Sequence, residues 1–304
     1  MKNSALTTTA SHAATAHRAL KECGFSLIEL MISLVIGLVL MVFVTSLFLS
    51  SQYSARLNDD NAQVQEEGHI AMHRIGNDIM QAGYGKMRTT LTTSFAGIGF
   101  KACQTGFELP LTADFKCDKN AEQPGFIVSY MLEPNQISDD YYSNRVDCNG
   151  NTYNYGLGRP PPVVINRYFT KKIGNKTSLF CEGNGISSAS NPKLNPLLHN
   201  VDKLMLTYGV DTKGNYTPST FLDKADDVER LPLSSANKTN WDQVINVKIC
   251  VELHSDNFVA AGTPQIYEKC DGTMRVAATD KKLHTTLTRT FTLRNRALPT
   301  WENL

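Results

Sequence analysis

The sequence has almost no excess of charge of either sign, since its 304 residues include 30 Lys and Arg against 29 Asp and Glu. Nucleic-acid-binding domains usually carry a clustered basic excess, and acidic tails carry long runs of one charge. Neither pattern occurs in this chain. We therefore predict no direct nucleic-acid site, and the length allows one large folded domain or two small ones.

The sequence also lacks the short motifs by which common enzymes hold a substrate or a cofactor. It has no G-x-S-x-G nucleophile elbow, no P-loop and no G-x-G-x-x-G between a strand and a helix. His69 and His73 are one helical turn apart, but the glutamate of an H-E-x-x-H zinc site is missing. We therefore predict no catalytic residue, no cofactor and no metal site, and we expect that the chain is not an enzyme.

One acidic stretch leaves calcium binding open. Asp223, Asp226, Asp227 and Glu229 lie close together in the sequence, and Asp211 with Asn215 could join them. Their spacing does not follow the EF-hand loop, and acidic loops are usually solvated. Both a calcium site and a solvated loop fit this pattern.

Charged side chains are scarce near the N-terminus, where Glu29 is the only one between Phe25 and Arg56. The apolar run ends at Leu49 and contains no proline. As a helix it would span about 37 Å, more than the ~30 Å hydrocarbon core of a membrane. A charged carboxylate costs roughly 2.5–3.5 kcal/mol at mid-bilayer and less near the interface, so Glu29 should have a partner. Cleavage after Gly24 would supply one, because it creates a cationic α-amine on Phe25.

An ordinary secretory signal is the first alternative for this segment. The residues before it carry three basic side chains and one acid, namely Lys2, Arg18, Lys21 and Glu22. A secretory signal is cut after a short apolar core, at an A-x-A-like site. Here the apolar run is longer, and Ser-Ser-Gln-Tyr follows Leu49 in place of such a site. We therefore expect the cut to fall before the apolar run, which then stays on the mature protein.

Residues 24–32 read GFSLIELMI, and this segment resembles the prepilin motif of type IV pilins and type II secretion pseudopilins. The resemblance implies that a prepilin peptidase in the membrane cuts after Gly24. It also implies N-methylation of the new first residue, Phe25. Glu29 would then be the carboxylate that docks on a neighbouring subunit.

Five further segments occur in the order known from PilW-type minor pilins: residues 81–84, 201–204, 208–211, 241–245 and 290–296. The resemblance implies a minor pilin that helps to prime a type IV pilus and forms part of its tip. Its partners would be other minor pilins, the major pilin and a PilY-type tip adhesin, in support of adhesion, twitching motility or DNA uptake. Such a chain begins as a single-pass inner-membrane protein and ends in the pilus at the cell surface. The alternatives are a J-type pseudopilin of type II secretion and an anchored periplasmic enzyme or binding protein.

Six of the seven cysteines lie beyond the leader. An even number in an exported domain predicts disulfides, for which fifteen full pairings are possible. Zinc is disfavoured, because no pair has the C-x2–4-C spacing. We favour sequential pairing, since each bridge then closes a modest loop. The predicted pairs are Cys103–Cys117, Cys148–Cys181 and Cys250–Cys270.

The apolar run continues into an amphipathic stretch. Six apolar residues recur at helical spacing, namely Leu57, Val64, Ala71, Ile75, Ile79 and Ala82. The polar side would carry Arg56, Asp59, Glu66, Glu67, Arg74 and Asp78. Glycines follow on both sides of Tyr84, so we predict that the helix ends at about residue 82. The stripe is too short and too rich in alanine for a coiled coil, which favours packing under a sheet.

Beyond the helix the sequence predicts short strands. The clearest runs are residues 125–132, 162–169, 201–208, 244–253 and 287–293, and polar loops are predicted at 103–120, 138–161 and 211–240. Half-buried alternation without intervening helices indicates antiparallel sheet. The predicted fold is therefore α+β and pilin-like, with a long N-terminal helix, half of it transmembrane, packed on an antiparallel sheet. The predicted parts are a leader (1–24), a membrane or filament-core helix (25–50), its amphipathic continuation (51–84) and a β-rich domain (85–304).

Overall fold

A computed structural model provides the structure of this chain. It describes residues 24–85, 99–107, 117–118, 123–132, 146–153, 163–185, 195–233, 239–258, 265–274 and 276–296. The chain divides into two compact units, Met1–Ala55 and Arg56–Leu304, which are considered separately below.

The described part of the first unit is the beginning of one helix, α1 (Leu27–Gln81). Its apolar side chains point in all directions and all remain exposed, from Leu27 to Leu49. The best membrane-length window has a mean hydropathy of 2.8, and none of that window is buried inside the protein. A helix that is apolar all round needs lipid or other apolar helices around it. The segment is therefore long and apolar enough to cross a membrane.

In the second unit, the continuation of α1 buries one side against the sheets. The predicted stripe is confirmed: Leu57 and Val64 are half-buried, and its last four members are fully buried. The complete buried set is Gly68, Ala71, Met72, Ile75, Gly76, Asp78, Ile79 and Ala82. This stripe attaches the helix to the rest of the domain through apolar burial.

Two antiparallel sheets make up most of the second unit. The five-stranded sheet has its strands in chain order: β1 (Phe100–Cys103), β2 (Gly125–Met131), β3 (Val163–Ile173), β4 (Lys176–Gly183) and β5 (Pro196–Leu198). The four-stranded sheet comprises β6 (Val201–Val210), β7 (Thr220–Leu222), β8 (Val244–Phe258) and β11 (Lys282–Thr292), in the order β11-β8-β6-β7. A short ribbon pairs β9 (Ile266–Tyr267) with β10 (Val276–Ala277). The described residues also include two short helical segments, α2 (Ala225–Glu229) and a 3-10 turn at Asn240–Gln243.

The predicted α+β class with an antiparallel sheet is confirmed, and each of the five predicted runs contains a strand. Two predictions need correction. The strand β4 was not predicted, although Gly174-Asn175 before it is a hairpin signal and Gly174 has a φ of 62°. The predicted loop at 211–240 is wrong in part, because it contains β7 and α2. Both elements are too short to show a periodic pattern.

Aromatic rings from both sheets meet α1 in one hydrophobic core. Phe126 of β2 stacks on Tyr168 of β3, with 4.8 Å between the ring centroids. Tyr208 of β6 meets Trp241 edge to face at 5.4 Å. Phe100 links the two pairs, with its ring 5.9 Å from Phe126 and 6.4 Å from Tyr208. The two sheets are therefore held together by a continuous aromatic core.

Two glycines let α1 approach β11 closely. A Cβ at Gly68 would overlap the Cδ1 of Leu287, and a Cβ at Gly76 would lie within 3.0 Å of three ring carbons of Phe291. The glycines are eight helical residues apart, about 12 Å, and the two side chains are four strand residues apart, about 13 Å. The spacings match, so α1 runs along β11 with one side chain seated at each glycine.

Candidate functional site

The start of α1 is built around Ser26. Its carbonyl oxygen accepts hydrogen bonds from the backbone N–H of Glu29 at 3.1 Å and of Leu30 at 3.2 Å. Its Oγ also lies 3.3 Å from the Glu29 nitrogen. Ser26 and Glu29 have the S-x-x-E spacing of a capping box, and a carboxylate in the first turn is favoured by the helix dipole. Glu29 therefore has a local role at the helix N-terminus besides the predicted docking role.

The residues predicted for cleavage stand free of the rest of the described chain. Phe25 is 82% exposed. A Cβ at Gly24 would meet nothing within 4 Å. Packing within the chain therefore gives no reason for glycine at this position.

The six predicted cysteines are joined as the three sequential pairs. The Cα atoms are 5.4 Å apart in Cys103–Cys117, 6.0 Å in Cys148–Cys181 and 5.6 Å in Cys250–Cys270. These distances lie within the usual range for a disulfide. The last bridge ties β8 to the segment that follows β9.

A buried carboxylate links α1 to the five-stranded sheet. Asp78 accepts hydrogen bonds from the hydroxyl of Tyr168 at 2.5 Å, the Nδ2 of Asn166 at 2.6 Å and the hydroxyl of Tyr130 at 3.2 Å. Burial raises the pKa of Asp78, against the opposing effect of these donors and of Arg74. Asp78 was predicted on the polar side of the helix, and that prediction is wrong.

The sequence did contain a signal for this position. Asp78 follows Ile75 by three residues and precedes Ile79 and Ala82 by one and four, so all four lie on one helical face. A carboxylate within an apolar stripe should be read as buried and in need of donors. Its three donors come from β2 and β3, which no local pattern around Asp78 could identify.

A second polar cluster joins the four-stranded sheet to the loop before β11. Asp202 Oδ1 lies 2.8 Å from His254 Nδ1, and Asp202 Oδ2 lies 3.2 Å from His284 Nδ1. His284 Nε2 also lies 2.9 Å from Asp280 Oδ1, and its ring stacks on Tyr267 with 4.6 Å between centroids. The cluster brings together residues from four separate segments, which the sequence did not reveal.

The charged groups in this cluster shift one another's pKa values. Burial alone would raise the pKa of Asp202, but hydrogen bonds from His254 and His284 outweigh it and lower that pKa to about 2. Burial alone would lower the pKa of His284, but Asp202 and Asp280 outweigh it and raise that pKa. The cluster therefore connects β6, β8 and β11 through ion pairs, and we call it the ion-paired clasp.

The acidic residues considered for calcium are engaged elsewhere. Asp211 accepts backbone N–H groups from its own loop, including those of Gly214 at 2.8 Å and Tyr216 at 2.7 Å. Asp223 accepts the hydroxyl of Thr207 at 2.7 Å. Among the residues that the structure describes, no group of three or more His, Cys, Asp or Glu side chains is placed to hold a metal. These carboxylates close loops and do not converge on an ion.

The two helix histidines have separate neighbours. His69 Nδ1 lies 3.2 Å from Arg289 on β11, and His73 Nε2 lies 3.3 Å from Asn77. A shared metal ion would require both rings to face one point. Their observed contacts place them in ordinary surface networks.

Two family models match this chain. A model of the prokaryotic N-terminal methylation motif matches residues 20–45, which include the start of α1. A model described as type IV pilus-assembly protein W, PilW, matches residues 167–295, from β3 to just beyond the end of β11. The chain is therefore similar to PilW over residues 167–295. It is a type IV pilin-like minor pilin whose methylation motif implies processing by prepilin peptidase, membrane anchoring and assembly with other pilins.

Among solved structures, a type IV-like pilin from Thermus thermophilus is similar to this chain. The similarity has 12% sequence identity and a TM-score of 0.41, and covers 78% of this chain and 100% of that one. A similarity at this level does not by itself establish a shared fold, so the family resemblance rests on the two sequence matches. No curated protein matches the chain.

Proposed function

We propose that this PilW-like chain helps to prime type IV pilus assembly and is retained at or near the filament tip. Its partners are other minor pilins, the major pilin and a PilY-type adhesin, and the filament supports adhesion, twitching motility or DNA uptake. The chain starts as a single-pass protein of the inner membrane and reaches the cell surface within the pilus. The tip position and the adhesin come from the family resemblance.

One observation carries the assembly role. The apolar half of α1 is exposed on every side, and its one carboxylate, Glu29, lies in the first helical turn. Such a surface can be covered first by lipid and later by the helices of a filament. The same segment can therefore serve the membrane form and the assembled form.

The exposed segment before α1 supports the proposed processing step. We assign Gly24 as the residue before the cut, because it opens the prepilin-like segment 24–32 and no packing within the described residues requires glycine there. Phe25 becomes the N-methylated first residue. Its cationic amine lies four residues from Glu29, and we assign Glu29 as the docking carboxylate that pairs with this amine in its own or an adjacent subunit.

The Glu29→Gln variant tests this role, with Glu29→Ala beside it. Removing one partner of a charge pair in an apolar core costs about 3–5 kcal/mol, so incorporation and pilus yield should fall while processing stays intact. The readout is piliation at native expression level, with the variant measured in sheared filaments and cleavage checked by mass spectrometry.

Two controls separate docking from helix capping. Ser26→Ala removes the cap hydroxyl and keeps the carboxylate, so filament yield should stay near that of the parent. Glu29→Asp keeps the charge and should retain part of the yield. Normal piliation with Glu29→Gln present in the filaments would show that Glu29 is not a docking residue.

A further inference from the structure

One end of the Arg56–Leu304 unit lies where the chain enters it from the apolar segment. Asn257, at the end of β8, donates from Nδ2 to Asp60 Oδ1 of α1 at 2.9 Å. At the opposite end of this unit, Asn295 donates to the carbonyl oxygens of Gln81 and Ala82. The C-terminal end of β8 therefore lies beside the first turns of α1 in this unit.

Lysines are concentrated at this end. The β3–β4 hairpin carries three of them, two near the end of β3 and one at the start of β4, and two more lie immediately before and at the start of β11. Together they are Lys171, Lys172, Lys176, Lys281 and Lys282, here called the lysine rim. Lys176 Nζ is hydrogen-bonded to Asp256 of β8. Lys282 pairs with Phe258 across the ladder, and its Nζ is 5.8 Å from the centre of that ring. These contacts bring both lysine-bearing segments to the end of β8.

Two large apolar side chains project among these lysines. Ile173 is 59% exposed at the tip of the β3–β4 hairpin, and Phe258 is 73% exposed at the end of β8. Lysine beside exposed aliphatic and aromatic side chains is typical of surfaces that lie at the headgroup level of a membrane. There the amines meet phosphates and the apolar groups reach the acyl boundary.

The acids near the rim leave it with positive charge. Asp256 is bound by Lys176, and Asp280 is bound by His284. Asp60 and Glu67 line one cavity with Lys176 and Asp256, so four acids lie near the five lysines. Lys171, Lys172, Lys281 and Lys282 form no ion pair with any residue in the described ranges. The five lysines exceed the nearby acids in number, and this excess of positive charge favours an anionic partner.

We propose that the lysine rim binds anionic phospholipid headgroups while the chain is anchored in the membrane. Asp60 follows Leu49, the last residue of the apolar run, by only eleven residues. Even a fully extended chain of this length spans at most about 40 Å, so the anchor keeps the rim close to the lipid surface. The rim thereby holds the soluble unit against the membrane before assembly. This inference needs the membrane anchor and does not depend on the tip role.

The test uses the full-length chain in nanodiscs, either of phosphatidylcholine alone or of phosphatidylcholine with phosphatidylglycerol. Phe258→Trp supplies a reporter, read as a difference spectrum against the chain without this change. In the anionic discs we expect a blue-shifted emission and quenching by brominated acyl chains, and both signals should weaken as salt is raised. Equal signals in the two kinds of disc would overturn the proposal.

A charge-matched pair of double variants locates the contact. Lys171→Glu with Lys172→Glu changes the rim, whereas Lys213→Glu with Lys224→Glu makes the same change in net charge away from it. Lys213 lies just after the end of β6. The last residue of β6 pairs with Val244 at the start of β8, and the rim lies at the opposite end of β8.

Each lysine near an anionic surface contributes about 1 kcal/mol, which is about fivefold in binding. The rim variant should therefore lower the bound-to-free ratio of the reporter by about 25-fold or more, and the distal variant should leave it near that of the parent. Equal losses in the two variants would show an effect of net charge and would refute the lysine rim. Circular dichroism of both variants checks that the fold is retained.

Discussion

Replacing Asp78 tests how α1 is fixed to the five-stranded sheet. Asp78→Ala removes the carboxylate that accepts hydrogen bonds from Tyr130, Asn166 and Tyr168. Each buried unpaired group costs about 1–3 kcal/mol, whereas alanine regains about 0.7 kcal/mol of helix propensity. With partial relaxation, we expect a net loss of about 3–5 kcal/mol in the free energy of unfolding. Asp78→Asn keeps the shape and one acceptor oxygen, so its cost should be about 1–2 kcal/mol.

The pH dependence gives a sharper test because its sign is unusual for a carboxylate. Burial raises the pKa of Asp78 in the folded state above its unfolded value of 3.8. A raised pKa disfavours the charged form, so the contribution of Asp78 is greatest below pH 3.8 and falls as the pH rises through the folded pKa. Asparagine does not titrate. The stability advantage of the parent over Asp78→Asn should therefore shrink from acidic to neutral pH.

The assay is urea unfolding of oxidised protein, followed by circular dichroism across this pH range. Tyr168→Phe serves as the matched control, because it removes one donor and should cost about 1 kcal/mol in the parent. The same change made on top of Asp78→Ala should cost less, since the donor is already unpaired there. An advantage of the parent over Asp78→Asn that grows with pH would refute the reasoning.

The other predictions concern processing, packing and the ion-paired clasp. Mass spectrometry of the mature N-terminal peptide should show N-methylated Phe25, and an intact leader would contradict this. Gly76→Ala should destabilise the protein by about 1–3 kcal/mol through overpacking against a rigid ring, whereas Gly68→Ala should cost less because it meets a flexible leucine tip; thermal melts compare the two. The stability contributed by His284 should be fully present below pH 6.5 and be lost as the pH rises through its raised folded pKa, so the parent and a His284→Gln variant should converge in alkaline melts. The contribution of Asp202 should be present above pH 3.8 and be lost as the pH falls to about 2, so acid unfolding curves of the parent and Asp202→Asn should converge there.

Features that depend on local periodicity could be predicted from the sequence. The stripe that ends in Ile75, Ile79 and Ala82 correctly indicated a helix with one buried side. Alternation in β8, where Val247 and Ile249 are buried and Lys248 is exposed, correctly indicated a strand, but residues 249–253 are buried on both faces, so the strand is not half-buried. Such patterns arise because burial repeats with the period of the helix or the strand.

Features that depend on distant partners could not be predicted in this way. Asp78 receives its donors from residues 52 to 90 positions further along the chain. Asp202 and His284 are 82 positions apart in the sequence and form an ion-pair contact only because β6 and β11 flank the same end of β8. Glycine at position 76 has no local signature either, since its need comes from the ring of Phe291. In each case the residue is needed because of a contact with a distant part of the chain, and only the folded structure brings that part close.

The close packing of Leu287 and Phe291 of β11 against Gly68 and Gly76 of α1 has a mechanical consequence. A force along the helix axis would push Leu287 and Phe291 against the helix backbone beside Gly68 and Gly76, because each side chain fills the space that a Cβ would take at its glycine. The load would then pass from β11 to β8 parallel to the strands. The hydrogen bonds of this antiparallel ladder lie perpendicular to that direction and would be strained together in shear, not opened one after another. Traction applied to α1 while a subunit leaves the membrane would thus be distributed over the whole β11–β8 ladder.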